Sequence, residues 1–217
     1  MFTVIEGLDG SGKSTQFELL KEYLTKQNVR FLHIKLPDYD SPSSALVNMY
    51  LSGQFGSDAA CVNVYAASAF YAVDRFANFN LKWKESYENG FDILADRYTT
   101  SNAIYQLAKL PQERWDAFLE WLSDFEYEKL QIPKPNKVIF LDMPVEISQQ
   151  LMSKRYGGNE AKKDVHEKDI AFLNVCRQAA LYTAQKWNWM VIPCAQGDKP
   201  RSIESIHQDI ISALEVN

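Results

Sequence analysis

Residues Gly7 to Ser14 read GLDGSGKS and fit the pattern G-x4-G-K-[ST] in full. A short apolar, partly β-branched run precedes them, Phe2 to Glu6. An amphipathic stretch follows, Lys13 to Gln27, with Phe17, Leu20 and Leu24 on one stripe. Strand, glycine-rich turn and helix are the context a phosphate cradle requires. Gly10 and Gly12 let the backbone bend so that several N–H groups converge on phosphate oxygens, and the helix adds its N-terminal donors. Lys13 is expected to meet the β and γ phosphates, and Ser14 to offer its hydroxyl to Mg2+. The candidate nucleotide-binding residues are Gly7, Leu8, Asp9, Gly10, Ser11, Gly12, Lys13, Ser14 and Thr15.

Beyond the cradle, Val29 to Ile34 reads as a second strand, so the chain opens as a βαβ unit and predicts a parallel sheet. Leu36 to Pro42 is a turn-rich break and Ser43 to Leu51 a short helix. Ala59 to Asn89 reads as mostly helical with a bend. Phe91 to Ala95, Lys137 to Leu141 and Trp189 to Pro193 complete five strand candidates. Helices are expected from Pro111 to about Gln131, Pro144 to Lys154, Asp164 to Trp187 and Ser202 to Leu214. No strand shows strict alternation, so both sheet faces should be covered, as in a three-layer α/β fold.

The 217 residues carry Lys plus Arg 23 against Asp plus Glu 28, a formal charge of −5. That surface argues against a protein built to coat nucleic acid, whose affinity needs a strong positive field. Small anionic substrates need only a few local cations. Cys61, Cys176 and Cys194 are an odd count with no zinc spacing, so reduced thiols in a cytoplasmic protein are expected. The start MFTVIEG has no signal-like pattern, and no run approaches a membrane span. His33, His166 and His207 are too scattered for a structural zinc or a histidine-centred triad.

Several other residues suit phosphate chemistry. Asp96 and Arg97 follow the Phe91 to Ala95 strand, at the carboxyl edge where a parallel sheet binds ligands. A carboxylate there can place Mg2+ or the acceptor, and the arginine can neutralise a phosphate. The pair also fits a helix N-cap with a surface arginine. Asp9, inside the cradle, repels phosphate unless it serves a cation or a hydroxyl, or only stabilises the turn. Tyr71 and Arg75 are four apart and share a helix face. They suit a flat heterocycle, although the spacing also fits plain core. Arg155, Lys162 and Lys163 flank a polar, glycine-bearing stretch, as either a closing lid or a solvated charge cluster.

With these residues in place, the chain resembles the thymidylate kinase family of nucleoside monophosphate kinases over nearly its whole length. The resemblance is carried by EGLDGSGKST (Glu6 to Thr15), FYAVDR (Phe70 to Arg75), DRYTTSNAIYQ (Asp96 to Gln106), and the lid-like Arg155 to Glu167 with the helix after it. It implies a three-layer P-loop fold whose five-stranded parallel sheet is flanked by helices. It also implies a single kinase domain over residues 1–217, a short lid at about 154–167, and usually a homodimer. The implied reaction moves the ATP γ-phosphoryl group to dTMP, giving dTDP, with Mg2+ held through Ser14 and Asp96. By the resemblance, Asp9 meets the 3′-hydroxyl region, Tyr71 stacks on thymine, and Arg75 hydrogen-bonds its O4. Arg97 bridges phosphates, Ser101 and Gln106 lie near the base, and Tyr105 crowds out a ribose 2′-hydroxyl.

Two positions distinguish this chain. Some family members carry an arginine where it has Gly10; without it, the catalytic cation is expected from the lid, first Arg155, with Lys162 or Lys163 as substitutes. The family commonly reads Pro-Asp-Arg or Pro-Glu-Arg after the second strand, and that arginine binds the dTMP phosphate. Here Pro37, Asp38 and Tyr39 stand instead, and a tyrosine hydroxyl is a weaker, uncharged donor. Lys35 or Arg97 can compensate. The change leaves room for dUMP or for a deoxynucleoside as acceptor. The Asp96-Arg97-Tyr98 segment argues against the latter, since nucleoside kinases of this superfamily tend to carry Glu-Arg-Ser. A regulatory protein without catalysis would not need Lys13, Ser14, Asp96 and Arg97 together.

Overall fold

The computed structural model describes residues 1–56, 61–155 and 169–215. Five strands, β1 (Phe2–Gly7), β2 (Phe31–Lys35), β3 (Asp92–Asp96), β4 (Lys137–Asp142) and β5 (Met190–Pro193), form one parallel sheet in the order β2-β3-β1-β4-β5. Every residue of β1 is buried, and so are the four middle residues of β4, whereas the edge strands β2 and β5 are half-open. That gradient explains the missing alternation in the sequence: a central parallel strand has no wet face.

The flanking helices are α1 (Lys13–Lys26), α2 (Ala45–Leu51), α3 (Val64–Asn78), α4 (Lys84–Glu88), α5 (Thr99–Tyr105), α6 (Trp115–Ser123), α7 (Val145–Arg155), α8 (Ile170–Trp187) and α9 (Ile203–Glu215). The bend expected within residues 59–89 is a wide π-type turn at Phe79–Trp83, between α3 and α4. Pro111 precedes a single 3₁₀ turn, and α6 starts only at Trp115. The sequence reading did not anticipate helix α5, which starts two residues after Arg97, or a small antiparallel hairpin, β6 (Ala195–Gln196) with β7 (Lys199–Pro200).

The chain packs as two compact units, Met1–Val4 with Phe31–Asn136, and Ile5–Arg30 with Lys137–Asn217. The first is built on aromatics. Phe2 meets Tyr98 edge-on at 5.0 Å and Trp83 at 5.4 Å, and Trp83 packs on Phe79 at 4.6 Å. Such pairs add about 0.5–1.5 kcal/mol each beyond the area they bury. The Tyr98 hydroxyl donates to the Pro133 carbonyl at 3.0 Å, so the ring is pinned at both ends. Asn63 caps α3 by accepting from the N–H groups of Tyr65 and Ala66.

In the second unit Phe17, Leu20 and Leu24 of α1 are buried, as their spacing predicts. Gln16 Nε2 donates to the Ile203 carbonyl at 3.0 Å and ties α1 to the start of α9. Lys137 Nζ donates to the carbonyls of Ala213 and Leu214, satisfying acceptors at the C-terminal turn of α9. All three cysteines are free thiols, with Cys176 and Cys194 buried and Cys61 exposed. No helix among the described residues is long and apolar enough to cross a membrane.

Candidate active site

The cradle lies between β1 and α1. Gly10 and Gly12 have φ of +79° and +93°, left-handed values that side chains resist. Gly7 is required for a different reason: a Cβ there would lie 2.4 Å from Ser11 Oγ and 3.2 Å from the Leu141 carbonyl oxygen. The Ser11 N–H donates to the Leu8 carbonyl, which closes the turn. Lys13 is buried and its Nζ donates to the carbonyls of Gly7 at 2.7 Å and Leu8 at 3.1 Å. The ammonium therefore braces the loop it serves. Helix α1 has no side-chain cap, and Ser14 and Thr15 are exposed in its first turn. Its first N–H groups have no intrahelical acceptor, which is the donor array an anion needs.

In the other unit, four of the residues expected to read the acceptor, Tyr39, Tyr71, Arg75 and Arg97, lie near one another beside α3. Ser68, Tyr71 and Arg75 lie along one stripe of that helix, at spacings of three and four. Burial pushes the Tyr71 phenol up from its ordinary value, with neighbouring Tyr39 and Tyr50 adding to the rise. Tyr71 is thus a neutral aromatic plate near Arg97 and Arg75, whose charges oppose that rise. Arg97 directly follows β3 at φ +70°, and its guanidinium sits 5.2 Å from the centre of the Tyr105 ring. Tyr98 is fully buried in the aromatic core, whereas Arg97 beside it is only half-buried, and the positive φ lies between the two demands.

Arg75 is 4% exposed and ion-paired. Its Nε donates to Glu126 Oε2 at 2.6 Å and its NH2 to Glu126 Oε1 at 2.5 Å, while NH1 reaches the Tyr98 carbonyl at 3.4 Å. Burial works against the guanidinium charge, but Glu126 more than offsets it, and the pKa is raised. Thr99 Oγ1 donates to Glu126 Oε2 at 2.7 Å. Asn102 Nδ2 donates to Glu126 Oε1 at 3.4 Å and to the Ser68 carbonyl at 3.3 Å. Neither Glu126 nor Asn102 stood out in the sequence reading. Glu126 did leave a signal, a charge on the apolar stripe of Trp115, Phe118, Leu119 and Leu122.

Asp96 Oδ1, Ser68 Oγ and Gln106 Oε1 are buried with no hydrogen-bond partner among the described residues. An orphaned carboxylate oxygen at the end of β3 suits a water-bridged or direct cation, so Asp96 fits a magnesium role, and the exposed Ser14 hydroxyl suits one too. No cluster of three or more His, Cys, Asp or Glu side chains able to hold a metal occurs among the described residues.

The loop carrying Pro37 and Tyr39 is tied down from α3. Asp74 is fully buried and accepts from the Asp38 N–H at 3.0 Å and from Ser43 Oγ at 2.6 Å. Asn78 Nδ2 donates to Asp38 Oδ2 at 3.0 Å, and Lys82 pairs with the same carboxylate. Tyr39 is 50% exposed at the crest of the loop. Helix α3 thus has two working edges: Tyr71 and Arg75 on one, Asp74 and Asn78 on the next. Asp9 is half-buried in the cradle, and Ser101 is half-buried in the first turn of α5. Arg155 closes α7; its side chain, and Lys162 and Lys163 entirely, lie outside the described residues.

The parallel sheet and its G-x4-G-K-[ST] cradle mark a P-loop fold, and the comparisons with known proteins place it in the nucleoside monophosphate kinase class. A family model described as thymidylate kinase matches residues 5–210, and the chain belongs to the thymidylate kinase family. A probable thymidylate kinase of Thermococcus onnurineus is 31% identical over 99% of this chain and 97% of its own length. The thymidylate kinase of Mycobacterium tuberculosis is 28% identical over 88% of this chain and 91% of its own length. The solved thymidylate kinase of Candida albicans shares the fold, with a TM-score of 0.71 at 22% identity, over 99% of this chain and 90% of that one.

Proposed function

We propose that this protein transfers the γ-phosphoryl group of ATP to dTMP, giving dTDP. The observation that carries this reading is the reading face on α3 and α5, where a neutral aromatic plate stands beside an arginine immobilised by a buried carboxylate. Such an arginine offers only donors, which suits a flat base with a carbonyl at its edge. Cradle residues Gly7 to Thr15 bind the donor phosphates, with Lys13 at the β and γ groups. Asp9 meets the acceptor sugar, and Tyr105 excludes a 2′-hydroxyl. Arg97 neutralises the transferring group, aided by a lid cation, Arg155 first, then Lys162 or Lys163. Ser14 and Asp96 would hold Mg2+, which supplies charge neutralisation on the phosphates when bound. Catalysis is positioning plus electrostatics, with no covalent enzyme intermediate. A homodimer is part of the same proposal.

A panel of dTMP, dUMP, thymidine and dGMP with ATP and Mg2+ tests this reading. The expected result is the highest kcat/KM on dTMP. Turnover of thymidine with none of dTMP would establish a deoxynucleoside kinase instead. One observation favours that second reading: Tyr39 stands where family members place an arginine on the acceptor phosphate. Tyr39→Arg is therefore expected to lower KM for dTMP by about 5- to 10-fold, the effect of one added charge-assisted contact. Steady-state kinetics would show it, and an unchanged KM would place the acceptor phosphate elsewhere. Asp74→Asn, which weakens the anchor of the same loop, is expected to raise that KM by about 3- to 10-fold with kcat nearly constant.

A further inference from the structure

We infer that Glu126, which touches no substrate, sets the hydrogen-bonding polarity of the base-reading face; this deepens the dTMP reading and rests on it. Glu126 is fully buried and receives four donors: Arg75 Nε, Arg75 NH2, Thr99 Oγ1 and Asn102 Nδ2. An ionised carboxylate can only accept. Two consequences follow for the groups around it.

The first concerns Arg75. A guanidinium has five N–H donors. Two go to Glu126 and one to the Tyr98 carbonyl, which leaves one on NH1 and one on NH2. With its Nε edge locked, Arg75 can present only that far edge. The second concerns Asn102. An amide can ordinarily turn either its nitrogen or its oxygen toward a neighbour. Here the nitrogen must face Glu126 and the Ser68 carbonyl, both acceptors, so the oxygen is the group Asn102 can offer elsewhere. Glu126 thereby fixes one side chain as donor and the other as acceptor. Thr99, one turn before Asn102, holds the second carboxylate oxygen and stops the acid from rotating away.

A donor beside an acceptor complements a ring edge with a carbonyl next to an imide N–H, as in thymine and uracil. It opposes an edge with an amine next to a bare nitrogen, as in cytosine. Sites built around such polar pairs can discriminate by about 10⁴-fold, because the wrong edge leaves buried groups unpaired. Glu126 is therefore a positioning residue for specificity.

The test compares dTMP with 5-methyl-2′-deoxycytidine monophosphate, which differs from it only along this edge. Glu126→Gln keeps the shape but adds a donor, so Asn102 can turn its oxygen inward and Arg75 loses its charged partner. The kcat/KM ratio of dTMP over the methylcytosine nucleotide should fall at least about 10-fold, with the dTMP loss in KM rather than kcat. A merely structural role would lower both substrates together, and that result, or an unchanged ratio, overturns the inference. If circular dichroism shows Glu126→Gln unfolded, Thr99→Val decides. It keeps the ion pair, and the same ratio should fall by about 2- to 5-fold; no change overturns the inference. A wild-type enzyme inactive on dTMP overturns the dTMP reading and this inference together. A selective wild type with an unaltered Glu126→Gln ratio overturns this inference alone.

Discussion

Arg97→Ala is expected to lower kcat on dTMP by about 10²- to 10³-fold, with a much smaller change in KM. The residue follows β3 in a left-handed conformation and lies over the Tyr105 ring. Its cation is held against that ring without any ligand, so in the proposed role it would meet developing charge with little reorganisation. Strain of this kind is worth about 1–3 kcal/mol and persists only where the surroundings enforce it, here through the buried Tyr98 ring that follows. Arg97→Gly separates the two effects. Glycine tolerates the positive φ, so that variant should be as inactive as Arg97→Ala yet melt at a higher temperature. Arg97→Lys should recover only part of the rate, since an ammonium cannot lie flat on Tyr105 or fork onto two oxygens. Near-normal turnover by Arg97→Ala would remove the residue from the reaction.

Gly10→Arg is expected to destabilise the protein by about 2–5 kcal/mol, combining backbone strain with overpacking. For a chain of this size that is a fall in Tm of roughly 5–15 °C. The reasons are local. Gly10 sits at φ +79°, and a Cβ there would lie 2.8 Å from the Ser148 carbonyl oxygen and 2.9 Å from Met152 Cγ. The methionine can move, but the carbonyl belongs to α7. Grafting that arginine here should not replace a lid cation: in an Arg155→Ala background, Gly10→Arg should give no recovery of kcat. A double variant that melts like the wild type and regains activity would show that the cradle does admit the side chain.

The contrast between these positions shows how legible each was. Gly10 and Gly12 could be read because the pattern needs backbone freedom at fixed offsets. The α1 stripe of Phe17, Leu20 and Leu24, and the apolar run in β4, follow from period and hydrophobicity alone. Helix α5 was missed because Thr99, Thr100, Ser101 and Asn102 are weak helix formers. It is helical because Ala103 and Ile104 enter the core while Thr99 and Asn102 reach Glu126. The pairing of Arg75 with Glu126 spans 51 residues, and no local pattern carries it.

Residue order along the chain was enough for the class of fold and for the glycine-bearing turn between the first strand and the first helix. Those depend on short-range rules: which φ a turn demands, which face a helix hides, and where a parallel sheet places its carboxyl ends. Packing settled the rest. It made Arg75 a clamped donor rather than a mobile one, tied the Tyr39 loop to Asp74, and laid Arg97 over Tyr105 beside the buried Tyr98. Each is the answer to a buried charge or ring that must find its partner, and the partners come from segments distant in sequence.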